Sequence, residues 1–123
     1  MIVLDASAAL AFLSGEPGSD EVERALEAGP TACSAADWSE VAQKILAAGR
    51  DWDAAASLLR SYGLSVEPVT VDDAEWAARD WLEHRHLSLG DRLCLALARR
   101  LGADALTADH AWGDAPGVRQ LRR

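Results

Sequence analysis

Hydrophobic and polar positions alternate along this chain in short blocks, and the blocks change period from strand-like to helix-like several times. Residues 2–5, Ile-Val-Leu-Asp, are an apolar run that ends on an acid and predict a short buried strand. The next stretch, Ser7-Ala-Ala-Leu-Ala-Phe-Leu, predicts a helix capped by Ser7 or Asp5, broken by Gly15, Pro17 and Gly18. A helix over 19–28 carries acids in its first turn, where the helix dipole favours them. Residues 31–34 predict a second strand and residues 35–48 a helix. That helix places Trp38, Val41, Ala42, Ile45 and Leu46 on one face and leaves Glu40 nearer the polar side. Residues 51–62 predict a helix closed by Gly63. Residues 65–70 predict a strand that Pro68 assigns to an edge or an end. Helices over 72–86 and 88–101 follow, the second apolar on most sides and therefore central. A strand over 104–109 again ends on an acid, and a short edge strand is expected near 118–121.

Strands alternating with helices predict an α/β domain with a parallel sheet covered on both faces. The 123 residues suit a single domain, 1–123, with no internal repeat or linker. In such sheets the functional crevice lies beyond the carboxyl ends of the strands. Two strands here end there on aspartate, Asp5 and Asp109.

Composition narrows the picture. Half of the residues are hydrophobic, enough for a real core at this length. No apolar run could cross a bilayer, and the start has no basic region, so a cytoplasmic location without membrane contact is expected. The net charge of −8 disfavours a protein that merely coats nucleic acid, but not a nuclease whose carboxylates hold cations. All but Lys44 of the 12 basic residues are arginine, the better bidentate partner of phosphate. Cys33 and Cys94 stand far apart in apolar surroundings and are expected to be buried free thiols.

The acids carry the chemistry. Asp5 either caps the helix after it or serves a site. Asp91 lies three residues beyond Ser88 in capping-box spacing, Asp109 can be a turn residue, and Glu40 alone reads as a solvated charge. Together, however, Asp5, Glu40, Asp91 and Asp109 can converge on one sheet edge, where a divalent cation would relieve their repulsion. Oxygen ligands select Mg²⁺ or Mn²⁺. His84 and His86 flank Arg85, and on a helix they would point about 200° apart, which is poor for chelation. Four of the tryptophans are expected in the core or an interface. Trp112, nearer the acids, could place a loop or stack on a base.

The segments Ile2-Val3-Leu4-Asp5-Ala6-Ser7-Ala8, Ser39-Glu40-Val41, Leu87 to Ala98 around Gly90-Asp91, and Leu106-Thr107-Ala108-Asp109, in this order and spacing, resemble the PIN-domain ribonucleases, and within them the VapC-type toxins of bacterial toxin–antitoxin pairs. The resemblance runs over essentially the whole chain. It implies a three-layer α/β/α sandwich with a parallel sheet of four or five strands. It implies that Asp5, Glu40, Asp91 and Asp109 are the metal-site acids, with Ser7 and Thr107 supporting them. It also implies an RNA substrate, a VapB-type antitoxin partner and a homodimer. Ser39 stands where many relatives have asparagine, and Gly90 where another small residue is common; neither change removes a ligand.

The expected activity is therefore endoribonucleolytic hydrolysis with Mg²⁺ or Mn²⁺. Arg85 and Arg92 are the leading candidates for phosphate contacts, followed by Arg119, Arg122 and Arg123 in the tail. The alternative is a catalytically inert PIN-fold interaction module. Two other Asp-first folds fit less well. A haloacid-dehalogenase phosphatase needs a second Asp where Ser7 stands, and a receiver domain needs a late lysine, whereas Lys44 is early.

Overall fold

In the computed structural model, which describes residues 1–121, the chain runs β1 (Ile2–Leu4), α1 (Ala6–Leu13), α2 (Ser19–Ala28), β2 (Thr31–Ser34), α3 (Ala35–Ala47), α4 (Trp52–Ser61), β3 (Leu64–Glu67), α5 (Val71–Asp80), α6 (Leu89–Leu101), β4 (Asp104–Thr107) and β5 (Val118–Gln120). A single 3₁₀ turn, His110–Trp112, lies between β4 and β5. The five strands form one parallel sheet in the order β3-β2-β1-β4-β5. Strand order reverses at β1. The chain moves outward through β2 and β3, then returns to lay β4 on the other side of β1. The crevice beyond the ends of β1 and β4 is the place where such sheets hold ligands.

The period-2 alternation of the strands sorts the core into two layers. Leu4, Cys33 and Leu106 face α1, α2 and α4, meeting Ala8, Val22, Leu26 and Leu59. Val3, Ala32 and Ala105 face the other way, onto Cys94, Leu97 and Ala98 of α6 and onto Trp112. A third small cluster, of Ala6, Ala9, Val41, Ile45 and Ala55, joins α1 to α3 and α4. The three-layer sandwich expected from the sequence is thus the fold observed. Both cysteines are free and buried, as expected, and burial pushes the Cys33 thiol up to about 12.

Most boundaries follow local chemistry. Ser34, Asp51, Thr70 and Ser88 cap α3 to α6 through side-chain oxygens, and Thr70–Asp73 and Ser88–Asp91 are full capping boxes. Gly102 ends α6 at φ 63°, a conformation that costs glycine little. β3 and β5 are the edge strands, as Pro68 and the tail pattern indicated. One element differs from expectation. The helix anticipated over 72–86 stops at Asp80, and residues 81–87 form turns. Leu87 must turn into the core and Ser88 must take extended backbone (φ −68°, ψ 167°) to cap α6, so a helix cannot run through. His84 and His86 therefore do not share a helix. His84 Nδ1 pairs with Asp80 Oδ1 at 2.9 Å, while His86 Nε2 meets the Ala111 carbonyl at 2.9 Å.

Candidate active site

Asp5 follows the last residue of β1 at the centre of the sheet. It caps α1, its Oδ1 accepting from the Ala8 amide at 2.8 Å, so the capping reading holds. It accounts for only part of the carboxylate. Ser7 Oγ lies 2.7 and 2.9 Å from the two oxygens, and Thr107 Oγ1 donates to Oδ2 at 2.5 Å. Both hydroxyls in turn accept from backbone amides, Ser7 from Ala108 at 2.9 Å and Thr107 from Asp109 at 3.0 Å. With lone pairs engaged in this way, their protons are directed at Asp5. Ser7 and Thr107 thus hold the Asp5 carboxylate from two elements, α1 and β4. Asp5 is only 3% exposed. Burial pushes its carboxyl up from 3.8 to about 6; hydrogen bonds from Thr107, Ala8 and Ser7 oppose that rise and the charge of Asp91 adds to it.

Asp91 lies in the first turn of α6. Its Oδ2 accepts from the Ser88 amide at 3.2 Å, closing the capping box, while Oδ1 takes no hydrogen bond from the described residues. One oxygen serves the helix and the other is open. Asp109 is exposed just past β4, and its Oδ1 accepts from the Ala111 amide at 2.9 Å. Glu40 projects from α3, half-buried. All four acids line one cleft of about 490 Å³.

The face of α3 differs in part from the one expected: Val41 and Ile45 point inward as expected, but Leu46 does not. Leu46 is 61% exposed, whereas Asp37, Val41 and Ile45 are buried. The helix is rotated so that Glu40, Lys44 and Ala48, spaced four residues apart, line the cleft. Lys44 and Arg50 are the cations on its walls. Arg50 is tied to α1, its Nη1 donating to Ser14 Oγ at 3.0 Å and its Nη2 to the Leu13 carbonyl at 2.9 Å. Sequence reasoning placed neither at the cleft, although the fourfold spacing from Glu40 to Lys44 was there to be read.

The arginines favoured from sequence sit elsewhere. Arg92 donates from Nη1 to the Ala77 carbonyl at 2.6 Å, and its Nε is buried without a partner, so it ties α6 to α5 and does not line the cleft. Arg85 stacks over Trp81, 4.6 Å from the ring centre, also outside the cleft lining. Arg119 lines a separate groove with Met1 and Arg24, where the strands begin. Arg122 and Arg123 lie outside the described residues. Trp112 is buried in the lower core and is not available to stack on a base.

Asp37 is the acid that sequence reasoning missed. It lies one turn before Glu40, 2% exposed, and burial pushes its carboxyl up to about 8 with the charges of Asp5, Glu40 and Asp91 adding to the rise. Gly90 leaves the space beside it open. A Cβ there would stand 3.8 Å from Glu40 Oε1 and 3.9 Å from Asp37 Oδ1.

The cleft carries oxygen donors and no histidine or thiol, which suits a hard cation. Among the described residues, no three acidic, imidazole or thiol groups close tightly enough to hold an ion as they stand. The acids form an open set around shared space, with burial and mutual repulsion raising Asp5, both of which a cation would relieve.

A family model for the PIN domain matches residues 2–118. The chain belongs to the PIN-domain family. This PIN domain is 31% identical over 115 residues to ribonuclease VapC42 of Mycobacterium tuberculosis, a match that covers 85% of the chain and 88% of the relative. Its fold is shared with a toxin–antitoxin complex from Klebsiella pneumoniae (TM-score 0.79, 24% identity, 99% of this chain and 98% of that one). It is also shared with M. tuberculosis VapC20, a toxin that cleaves the sarcin–ricin loop (TM-score 0.72, 24% identity, 94% and 97%). The parallel five-stranded architecture is therefore a fold shared with these solved structures.

Proposed function

We propose that this PIN domain is an endoribonuclease, the toxin of a toxin–antitoxin pair, which hydrolyses RNA phosphodiester bonds with Mg²⁺ or Mn²⁺ held by Asp5, Glu40, Asp91 and Asp109. The observation that carries the reading is the convergence of these four acids on one cleft at the point where strand order reverses. The kinship to VapC42 supports the choice of substrate.

When bound, a divalent cation lowers the pKa of a coordinated water and offsets charge on the scissile phosphate. The residues of the chain do the rest. Ser7 and Thr107 fix the Asp5 carboxylate by hydroxyl hydrogen bonds, so it need not reorganise when substrate enters. Asp91 Oδ1, free of hydrogen-bond donors among the described residues, accepts the proton of the attacking water. Lys44 and Arg50 bind phosphates flanking the scissile bond, Arg50 already oriented by Ser14 and Leu13. Attack by water leaves a 5′-phosphate and a 3′-hydroxyl and makes no use of the ribose 2′-hydroxyl.

The partner is a VapB-type antitoxin, a reading supported by the solved toxin–antitoxin complex that shares the fold. A homodimer fits the exposed apolar residues around α5 and α6, with Val71 74%, Leu82 63% and Leu89 57% exposed. Among the described residues no helix is long and apolar enough to cross a membrane; a cytoplasmic location is part of this reading because cellular RNA is the proposed substrate. The chemistry of the fragment ends tests the mechanism. Products should ligate through a 5′-phosphate without prior kinase treatment, whereas 2′,3′-cyclic phosphate ends would overturn it.

A further inference from the structure

Asp37 is not among the acids that the resemblance assigns to the centre, and three observations tie it there. First, it is 2% exposed, and its Oδ2 is buried with no hydrogen-bond partner. A buried carboxylate oxygen left bare is costly unless a cation or a proton covers it. Second, it faces the other acids. Asp5, Glu40 and Asp91 all act on its charge, and the vacant side-chain position of Gly90 lies within 3.9 Å of both Asp37 Oδ1 and Glu40 Oε1. Third, no cationic side chain among the described residues is bonded to it. Its side-chain contact is the thiol of Cys94, wholly buried on α6. A carboxylate kept for packing alone would be expected to have an arginine or several amides around it, as Asp73 has in Arg100 and Thr70.

We infer that Asp37 is a fifth carboxylate of the cation centre, contributing its charge and its bare Oδ2 from beneath the cleft floor and so strengthening the hold of Asp5, Glu40, Asp91 and Asp109 on a divalent ion. The inference rests on the metal-dependent reading above and adds a residue to it. It explains why a helix that could have carried an apolar residue one turn before Glu40 carries an acid instead.

The test is Mn²⁺ binding, measured by calorimetry on the whole chain and its Asp37→Asn and Asp5→Asn variants, with cation-free melting temperatures alongside. Asp37→Asn keeps the shape and removes a charge from a repelling group. The cation-free variant should melt no lower than the parent, yet bind Mn²⁺ about tenfold or more weakly, the loss typical of supporting residues around a metal. An affinity within about twofold of the parent would show that a proton covers Asp37, and the inference would fall. Parental binding lost in Asp5→Asn but kept in Asp37→Asn removes only this inference; no Mn²⁺ binding by the parent removes the metal-dependent reading as well. Should Asp37→Asn not fold, Asp37→Ser is read in the same titration against the same thresholds.

Discussion

Thr107 donates its hydroxyl proton to Asp5 at 2.5 Å, joining the ends of β4 and β1 across 102 positions of sequence. The same hydroxyl accepts from the Asp109 amide at 3.0 Å, so one side chain sets the position of two of the acids. Thr107→Val keeps the shape and removes both bonds. Because the Thr107 bond opposes the rise of the Asp5 carboxyl, its loss should raise that pKa further. RNA cleavage should fall about 10- to 100-fold, the usual cost of losing a residue that orients a metal ligand. Single-turnover cleavage at saturating Mn²⁺ checks this; an unchanged rate would mean that Asp5 holds its place without Thr107.

The cation-free domain should lose stability as pH rises. Asp5 at about 6 and Asp37 at about 8 both lie above the ordinary 3.8, chiefly because of burial. A raised acid holds its proton more tightly in the folded chain, so its penalty is absent below about pH 4 and complete only above the folded pKa. Asp73 has the opposite sign. Burial works to raise it, but hydrogen bonds from Arg100 and Thr70 prevail and hold it below 3.8, so its contribution is lost only as pH falls through that lower value. Melting temperature in EDTA should peak at about pH 4–5 and decline toward about pH 8, and Mn²⁺ should flatten the decline. A steady climb over the same range in EDTA would contradict this electrostatic picture.

Lys44 and Arg92 should part company. Lys44 lines the cleft and has no hydrogen bond to the described residues, whereas Arg92 is committed to the Ala77 carbonyl. Lys44→Gln should leave stability unchanged and flatten the log–log salt dependence of single-stranded RNA binding by about 0.7. Arg92→Leu should cost about 1–3 kcal/mol of folding stability and leave the salt slope alone. Fluorescence anisotropy over a salt series, with denaturant melts of both variants, decides; exchanged results would return the phosphate track to the outer face of α6.

Much of this architecture was legible in the chain because its signals are local. The Ser88–Asp91 capping spacing, and acids closing two apolar runs, mark where α6 starts and where the sheet edge lies. The rotation of α3 was not legible. It depends on packing Val41 and Ile45 against Ala6 and Ala9 of α1, a tertiary fact, and it decides that Asp37 is buried and that Lys44 faces the cleft. The arginines were misjudged for a similar reason. Sequence shows that Arg92 neighbours Asp91, but a helix sends adjacent residues about 100° apart, and only the packing of α5 on α6 reveals the Ala77 carbonyl waiting for it. The end of α5 at Asp80 followed from the demands of Leu87 and Ser88, which lie beyond it.

The central claim is that four carboxylates at the reversal of strand order hold a cation for RNA hydrolysis. Its most direct test is cleavage of total cellular RNA by the purified, antitoxin-free chain with Mg²⁺ or Mn²⁺, with EDTA, and beside Asp5→Asn. The account predicts discrete fragments that require the cation and vanish both in EDTA and in the variant. Fragments that persist in EDTA, or that Asp5→Asn still produces at the parental rate, would contradict it.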